Sequence, residues 1–168
     1  MKKFLIGAGL VLLSAGCSET GSEQEIEMKN GDGNSVGVAT LSEEDDAVKL
    51  KLDLQGLPPG DHAIHFHEKA TCEAPDFKSA GDHFNPEGKE HGLMNAKGAH
   101  SGDLPNIHVE EDGTAKLELT ARHAELSEDD DGLLKDGGTA LVIHEKADDG
   151  MSQPAGDAGD RIACGEIK

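Results

Sequence analysis

The 168-residue chain contains no Trp and no Tyr, and only four Phe. Its core must therefore be built from Val, Leu, Ile and Ala. No stretch is apolar for the roughly 20 residues that a spanning helix needs, and the run Phe4 to Leu13 covers only ten. Positive charge is scarce: 15 Lys and Arg face 34 Asp and Glu, for a formal charge of −19. That deficit argues against nucleic acid and anionic membrane surfaces as partners. Helical periodicity is missing too. The stretch Leu126–Leu134 is cut by Glu128-Asp129-Asp130-Asp131-Gly132 and reads as a loop. There is no internal repeat, and the length suits one domain with a real core.

What the chain does contain is short alternating segments. Val48, Leu50, Leu52 and Leu54 alternate with Lys49, Lys51 and Asp53, the period-2 signature of a half-buried strand. Strands are also predicted around Val36, Val38 and Leu41 and over 63–67, 107–110, 115–119, 139–144 and 161–167. Gly31-Asp32-Gly33-Asn34, the acidic run Ser42–Asp46, and Gln55 to Gly60 with Pro58-Pro59 supply the turns. Many short strands without helices point to an antiparallel sandwich or barrel.

Histidine is the informative residue. His83, His91, His100 and Asp103 stand at intervals of eight, nine and three in a stretch rich in Gly, Pro, Asn and Lys. So long an irregular loop needs something to hold it. Three imidazoles and one carboxylate suit a tetrahedral Zn²⁺. The alternative is a polar surface loop that happens to be His-rich. His65 and His67 are two apart in a predicted strand, so both rings leave one face while Ile64 and Phe66 leave the other. His144 ends another strand, and imidazole is a good ligand for copper as well as zinc.

Residues 1–16 have the layout of a secretory signal: Lys2 and Lys3, an apolar run, then Ser14, Ala15 and Gly16. Small residues just before Cys17 resemble a bacterial lipoprotein signal, in which that cysteine is lipidated and becomes the first residue. The alternative is ordinary cleavage that leaves Cys17 as a free thiol or removes it. Losing Lys2 and Lys3 with residues 1–16 takes the formal charge from −19 to −21. Residues 17–24 would form a flexible tether to a membrane, and 25–168 the folded domain.

The chain as a whole resembles the copper/zinc superoxide dismutases. The resemblance rests on five blocks in order: Gly60–Glu68, Gly81–Pro86, His100–Asn106, Leu141–Asp149 and Gly159–Gly165. It implies an eight-stranded antiparallel Greek-key barrel with a long metal-binding loop and an intrachain disulfide. It implies copper on His65, His67, His83 and His144, zinc on His83, His91, His100 and Asp103, and His83 bridging the two. Asp148 would join His65 to His91, and His62 would support the copper side. Arg161 would attract the anionic substrate, superoxide. One electron would pass from a first superoxide to copper and on to a second, giving oxygen and, with two protons taken up, hydrogen peroxide; His83 would carry one of those protons. His108 and His123 match nothing functional and read as surface residues.

Were Cys17 lipidated, Cys72 and Cys164 would remain, and these match the family's disulfide. Such a bond suits an oxidising compartment. The sequence departs from the family at Ala63-Ile64, where Gly-Phe is usual, and lacks a match to the rim lysine within Met151–Asp157. The expected activity is protection of the cell envelope against superoxide. Its rivals are a non-catalytic copper- or zinc-binding surface lipoprotein and a structural envelope domain. Monomer and homodimer both remain open.

Overall fold

The computed structural model describes residues 23–44 and 47–168. The expected signal segment, Cys17 and the tether up to residue 22 lie outside the described residues. Among the described residues nine strands follow in order: β1 (Gln24–Asn30), β2 (Ser35–Glu44), β3 (Ala47–Leu54), β4 (Gly60–His62), β5 (Ile64–His67), β6 (Ile107–Val109), β7 (Ala115–Ala121), β8 (Thr139–His144) and β9 (Arg161–Ile167). Seven form an antiparallel sheet in the order β5-β8-β9-β1-β2-β3-β7, and β4 pairs with β6. The expected all-β antiparallel architecture is what the chain adopts. β4 and β5 are one extended segment, 60–67, broken at Ala63, so nine strands stand where eight were expected. The Ala63 N–H donates to the Lys146 carbonyl, and its own carbonyl accepts from His144 N–H. This segment thereby changes sheets in mid-course.

The alternation of β3 is realised in full: Val48, Leu50, Leu52 and Leu54 are buried. Their neighbours Leu117 and Leu119 on β7 pair with Leu52 and Leu50. In β2 the inward set breaks strict alternation. Val36, Ala39 and Leu41 are buried, whereas Val38 is 37% exposed. The cause is a bulge opposite Met28 and Lys29, which pair with Gly37 and Ser35 and so leave Val36 as the extra residue. Gly37 sits there at φ +127, where a Cβ would fall 2.1 Å from the Asp53 carbonyl oxygen. β2 also runs through Glu44, into the expected acidic turn, and β1 begins at Gln24 itself.

β8 is buried at all six positions, because both of its faces are covered. Leu141 and Ile143 point into the barrel core. Ala140 and Val142 pack outside it against Phe77, Ala80 and Cys164. The covering layer is the segment between β5 and the metal loop, and Cys72–Cys164 staples it to β9. Closing a loop with a sequence separation of 92 is worth about 4–5 kcal/mol on chain-entropy grounds. His65 and His67 pair with Val142 and Ala140, so their rings leave the sheet on this outer side. The site is therefore built on the outside of the barrel, under loops.

Candidate metal centre

Two groups of donors converge, and both contain His83: His65, His67, His83 and His144 in one, and His83, His91, His100 and Asp103 in the other. β5 supplies His65 and His67, and the end of β8 supplies His144. The remaining ligand candidates come from the long loop between β5 and β6, which has no strand of its own. All seven side chains are buried, His65 and His91 completely.

In the first group, hydrogen bonds fix which nitrogen is free. His65 Nε2 lies 2.8 Å from Asp148 Oδ2. His67 Nδ1 lies 3.0 Å from the Gly81 carbonyl oxygen, and His144 Nδ1 faces the Gly159 carbonyl at 3.5 Å. Each ring donates outward and turns its other nitrogen inward. His67 Nε2 and His144 Nε2 are 3.4 Å apart. His65 Nδ1 and His83 Nε2 are buried with no hydrogen-bond partner. Buried polar atoms are rarely left so. Four inward lone pairs, two of them orphaned, fit a metal that prefers imidazole.

In the second group, Asp103 Oδ1 lies 2.9 Å from His83 Nδ1, 3.0 Å from His91 Nδ1 and 3.3 Å from His100 Nδ1. His100 and His83 Nδ1 are 3.4 Å apart. A tetrahedral zinc site with bonds of about 2.0–2.1 Å has ligand–ligand edges of roughly 3.3–3.4 Å. The donor set therefore has the size and composition of a closed zinc site. Asp103 Oδ2 accepts from the Gly92 and His100 N–H groups, which aims Oδ1 at the imidazoles. His83 thus offers Nε2 to one group and Nδ1 to the other.

Residues 35–167 match the family described as copper/zinc superoxide dismutase (SODC). The chain is 44% identical over 172 residues to the Cu-Zn superoxide dismutase 2 of Aquifex aeolicus, covering 100% of both. It is 46% identical over 144 residues to the Cu-Zn superoxide dismutase of Caulobacter vibrioides, covering 84% of this chain and 83% of that one. A SOD-like protein from Bacillus subtilis superposes with a TM-score of 0.83 at 37% identity, over 86% of this chain and 97% of that one. The chain belongs to the copper/zinc superoxide dismutase family.

As a superoxide dismutase it is an oxidoreductase with copper and zinc as cofactors. Electrostatics separates the two donor groups. Burial, with help from neighbouring His83, pushes His67 down to about 2. Burial likewise takes His144 to about 3 and His83 to about 4. His91 goes the other way. Burial opposes its charge, but hydrogen bonds to Asp103 and Asp148 outweigh that and lift it to about 9. Both carboxylates are held well below the usual range by those imidazoles, against the effect of burial.

Asp148 spans the groups, with Oδ2 on His65 and Oδ1 3.1 Å from His91 Nε2. Its backbone is gripped from both sides by Asn106, whose Nδ2 donates to Asp148 O and whose Oδ1 accepts from Asp148 N–H. His62 lies 2.8 Å from the carbonyl oxygens of both His144 and Pro58. A cavity of about 540 Å³ opens over His67, His83 and His144, and Arg161 and Asp157 line it. Arg161 is half-buried, its Nη1 donating to Phe77 O and its Nη2 to Gly81 O. His108 and His123 are exposed, and His108 pairs with Asp61 across β4–β6.

Asn106, Gln153 and Gly156 also touch the site, although no chemical motif marks them in the sequence. Asn106 ends the matching block His100–Asn106, so its position carries a signal. A Cβ at Gly156, where φ is +64, would fall 1.9 Å from Asp148 Oδ1 and 2.8 Å from His91 Nε2.

Proposed function

We propose that this superoxide dismutase holds copper on His65, His67, His83 and His144 and zinc on His83, His91, His100 and Asp103. The observation that carries the assignment is the pattern of contacts made by the outward ring nitrogens. Three outward hydrogen bonds leave His65 Nδ1, His67 Nε2 and His144 Nε2 facing His83 Nε2. Copper, when bound, supplies the one-electron couple that connects one superoxide to the next.

The chain's own residues do the rest. The Arg161 guanidinium, fixed by two carbonyls beside the cavity, draws the anion towards His83 and His144. Superoxide dismutase is itself a standard example of such steering. His83 Nδ1 is engaged beside Asp103, so Nε2, which faces His65, His67 and His144, is the atom that takes up and gives back a proton. Burial already favours an uncharged His83, which suits a group that must release its proton. Asp148 and Asn106 hold His65 and His91 in register, and His62 holds the backbone of His144.

The domain reading is a signal over residues 1–16, a lipidated Cys17 with its tether to 24, and the enzyme from 25 onwards. It is supported by the signal layout and by a disulfide that suits an oxidising compartment. The protein would then face outward from a membrane and protect the cell envelope. Two experiments test this reading. Anomalous diffraction at the copper and zinc edges should put copper in the first donor group and zinc in the second. Mass spectrometry of envelope-extracted protein should find an acylated Cys17 at the N-terminus. A reversed metal assignment, or an unmodified or missing Cys17, would contradict the respective part.

A further inference from the structure

The segment Asp148–Asp157 lies over the metal loop, and Gln153 makes the tightest link between them. Gln153 Oε1 accepts from the His91 N–H at 2.9 Å, and Gln153 Nε2 donates to the His91 carbonyl at 2.8 Å. One side-chain amide thus engages both polar groups of His91's main chain, and Asn95 Nδ2 adds a second bond to the carbonyl alone, at 3.0 Å. The approach is close enough that a Cβ on Gly92 would fall 2.1 Å from the Gly150 carbonyl oxygen. The His91 side chain, by contrast, is held by carboxylates alone: Asp103 at Nδ1 and Asp148 at Nε2. Backbone and ring of the same residue are therefore fixed by separate partners. Gln153 also directly precedes Pro154 and Ala155, which line the cavity.

We infer that Gln153 is a positioning residue for zinc: it fixes the backbone of His91 so that Nδ1 stands at its place in the second donor group. The inference rests on the assignment of His91 as a zinc ligand. The physical ground is that a ligand ring swings with its own Cα, and only a two-way bond fixes both the position and the tilt of that residue's backbone. Outer partners of metal ligands typically contribute 10–100-fold in affinity. Asp148 cannot replace Gln153, because it acts on the ring and not on the main chain.

The test compares zinc and copper affinities, by chelator competition, for the full chain and for Gln153→Ala, Gln153→Glu and His91→Ala. Amide hydrogen exchange at His91 is followed in the metal-free protein. Gln153→Ala should weaken zinc by about tenfold or more, leave copper within twofold, and speed exchange at His91 before any metal is added. Gln153→Glu keeps the acceptor and loses the donor, so it should protect the His91 amide yet still bind zinc more weakly than the parent. A purely structural role would lower the melting temperature without separating the two metals. Zinc affinity within twofold of the parent in both Gln153 variants, while His91→Ala loses zinc, would overturn the inference. Retained zinc in His91→Ala would instead overturn the ligand assignment on which it rests.

Discussion

His67 and Arg161 share one acceptor: the Gly81 carbonyl oxygen takes the His67 Nδ1–H at 3.0 Å and an Arg161 Nη2–H at 2.6 Å. One peptide group thus sets both the tautomer of a copper-ligand candidate and the place of the cation at the cavity. On the proposed roles, attraction of the substrate by Arg161 and presentation of His67 Nε2 would be mechanically linked.

Arg161 should therefore matter in two separable ways. Screening limits long-range repulsion by the acidic surface to about 8 Å at physiological ionic strength, so the local cation dominates. Arg161→Ala should lower kcat/KM by on the order of tenfold, within the range of steering effects, and Arg161→Glu should lower it further. Both lose the bonds to Phe77 O and Gly81 O, so both should also melt earlier. Arg161→Lys, which keeps the charge, should recover part of kcat/KM. A salt series on all four forms checks this. An Arg161→Glu enzyme as fast as the parent at low salt would remove Arg161 as the anion guide.

Asp103→Ala should weaken zinc by at least about tenfold and lower the melting temperature even without metal. The carboxylate is buried and also accepts the Gly92 and His100 N–H groups. Leaving two buried donors unpaired costs roughly 1–3 kcal/mol each. Copper should remain bound through His65, His67, His83 and His144. Zinc titration and calorimetry on the variant decide it; unchanged zinc content and melting temperature would contradict the assignment.

The opposed proton affinities predict different proton release for the two metals. At pH 7.5 the metal-free protein should carry a proton on His91, whose affinity is raised to about 9. His67 and His144, lowered to about 2 and 3, should be neutral. Zinc alone should therefore release about one proton on binding, and copper alone close to none. Calorimetry in buffers of different ionisation enthalpy measures the difference. Equal release for both metals would refute it.

Stability of the metal-free form follows with the sign fixed. His67, His83 and His144 bind protons more weakly folded than unfolded. Their contribution is whole above about pH 6.5 and is lost as pH falls towards their folded values of about 2–4. His91 binds its proton more tightly when folded, so its contribution is whole below about 6.5 and is lost as pH rises through about 9. The melting temperature of the metal-free protein should peak near pH 6.5–7. A monotonic rise from pH 5 to 10 would contradict this.

Much of this centre was legible because its signals are local. His65 and His67 sit two apart on a strand, so the pleat alone puts both rings on one face. The spacing from His83 to Asp103 and the alternation of β3 are equally local. The bulge at Val36 was not legible, because it depends on the pairing of Met28 and Lys29 with β2. The same holds for the change of sheet at Ala63, set by bonds to Lys146 and His144. Gln153 is 62 residues from His91, and nothing in its neighbourhood marks it as a partner for that main chain. Contacts made by backbone atoms at long range leave no periodic trace in a sequence.

The donor group of His65, His67, His83 and His144 should carry superoxide dismutation, with the zinc group in support. This is tested most directly by measuring superoxide loss together with copper and zinc content, for the parent and for His65→Ala and His144→Ala. The parent should hold both metals and turn over superoxide fast. Each variant should keep its zinc and its barrel fold but lose dismutation. Near-parental turnover in either variant with copper still bound, or a doubly loaded parent that removes superoxide no faster than free copper, would contradict it.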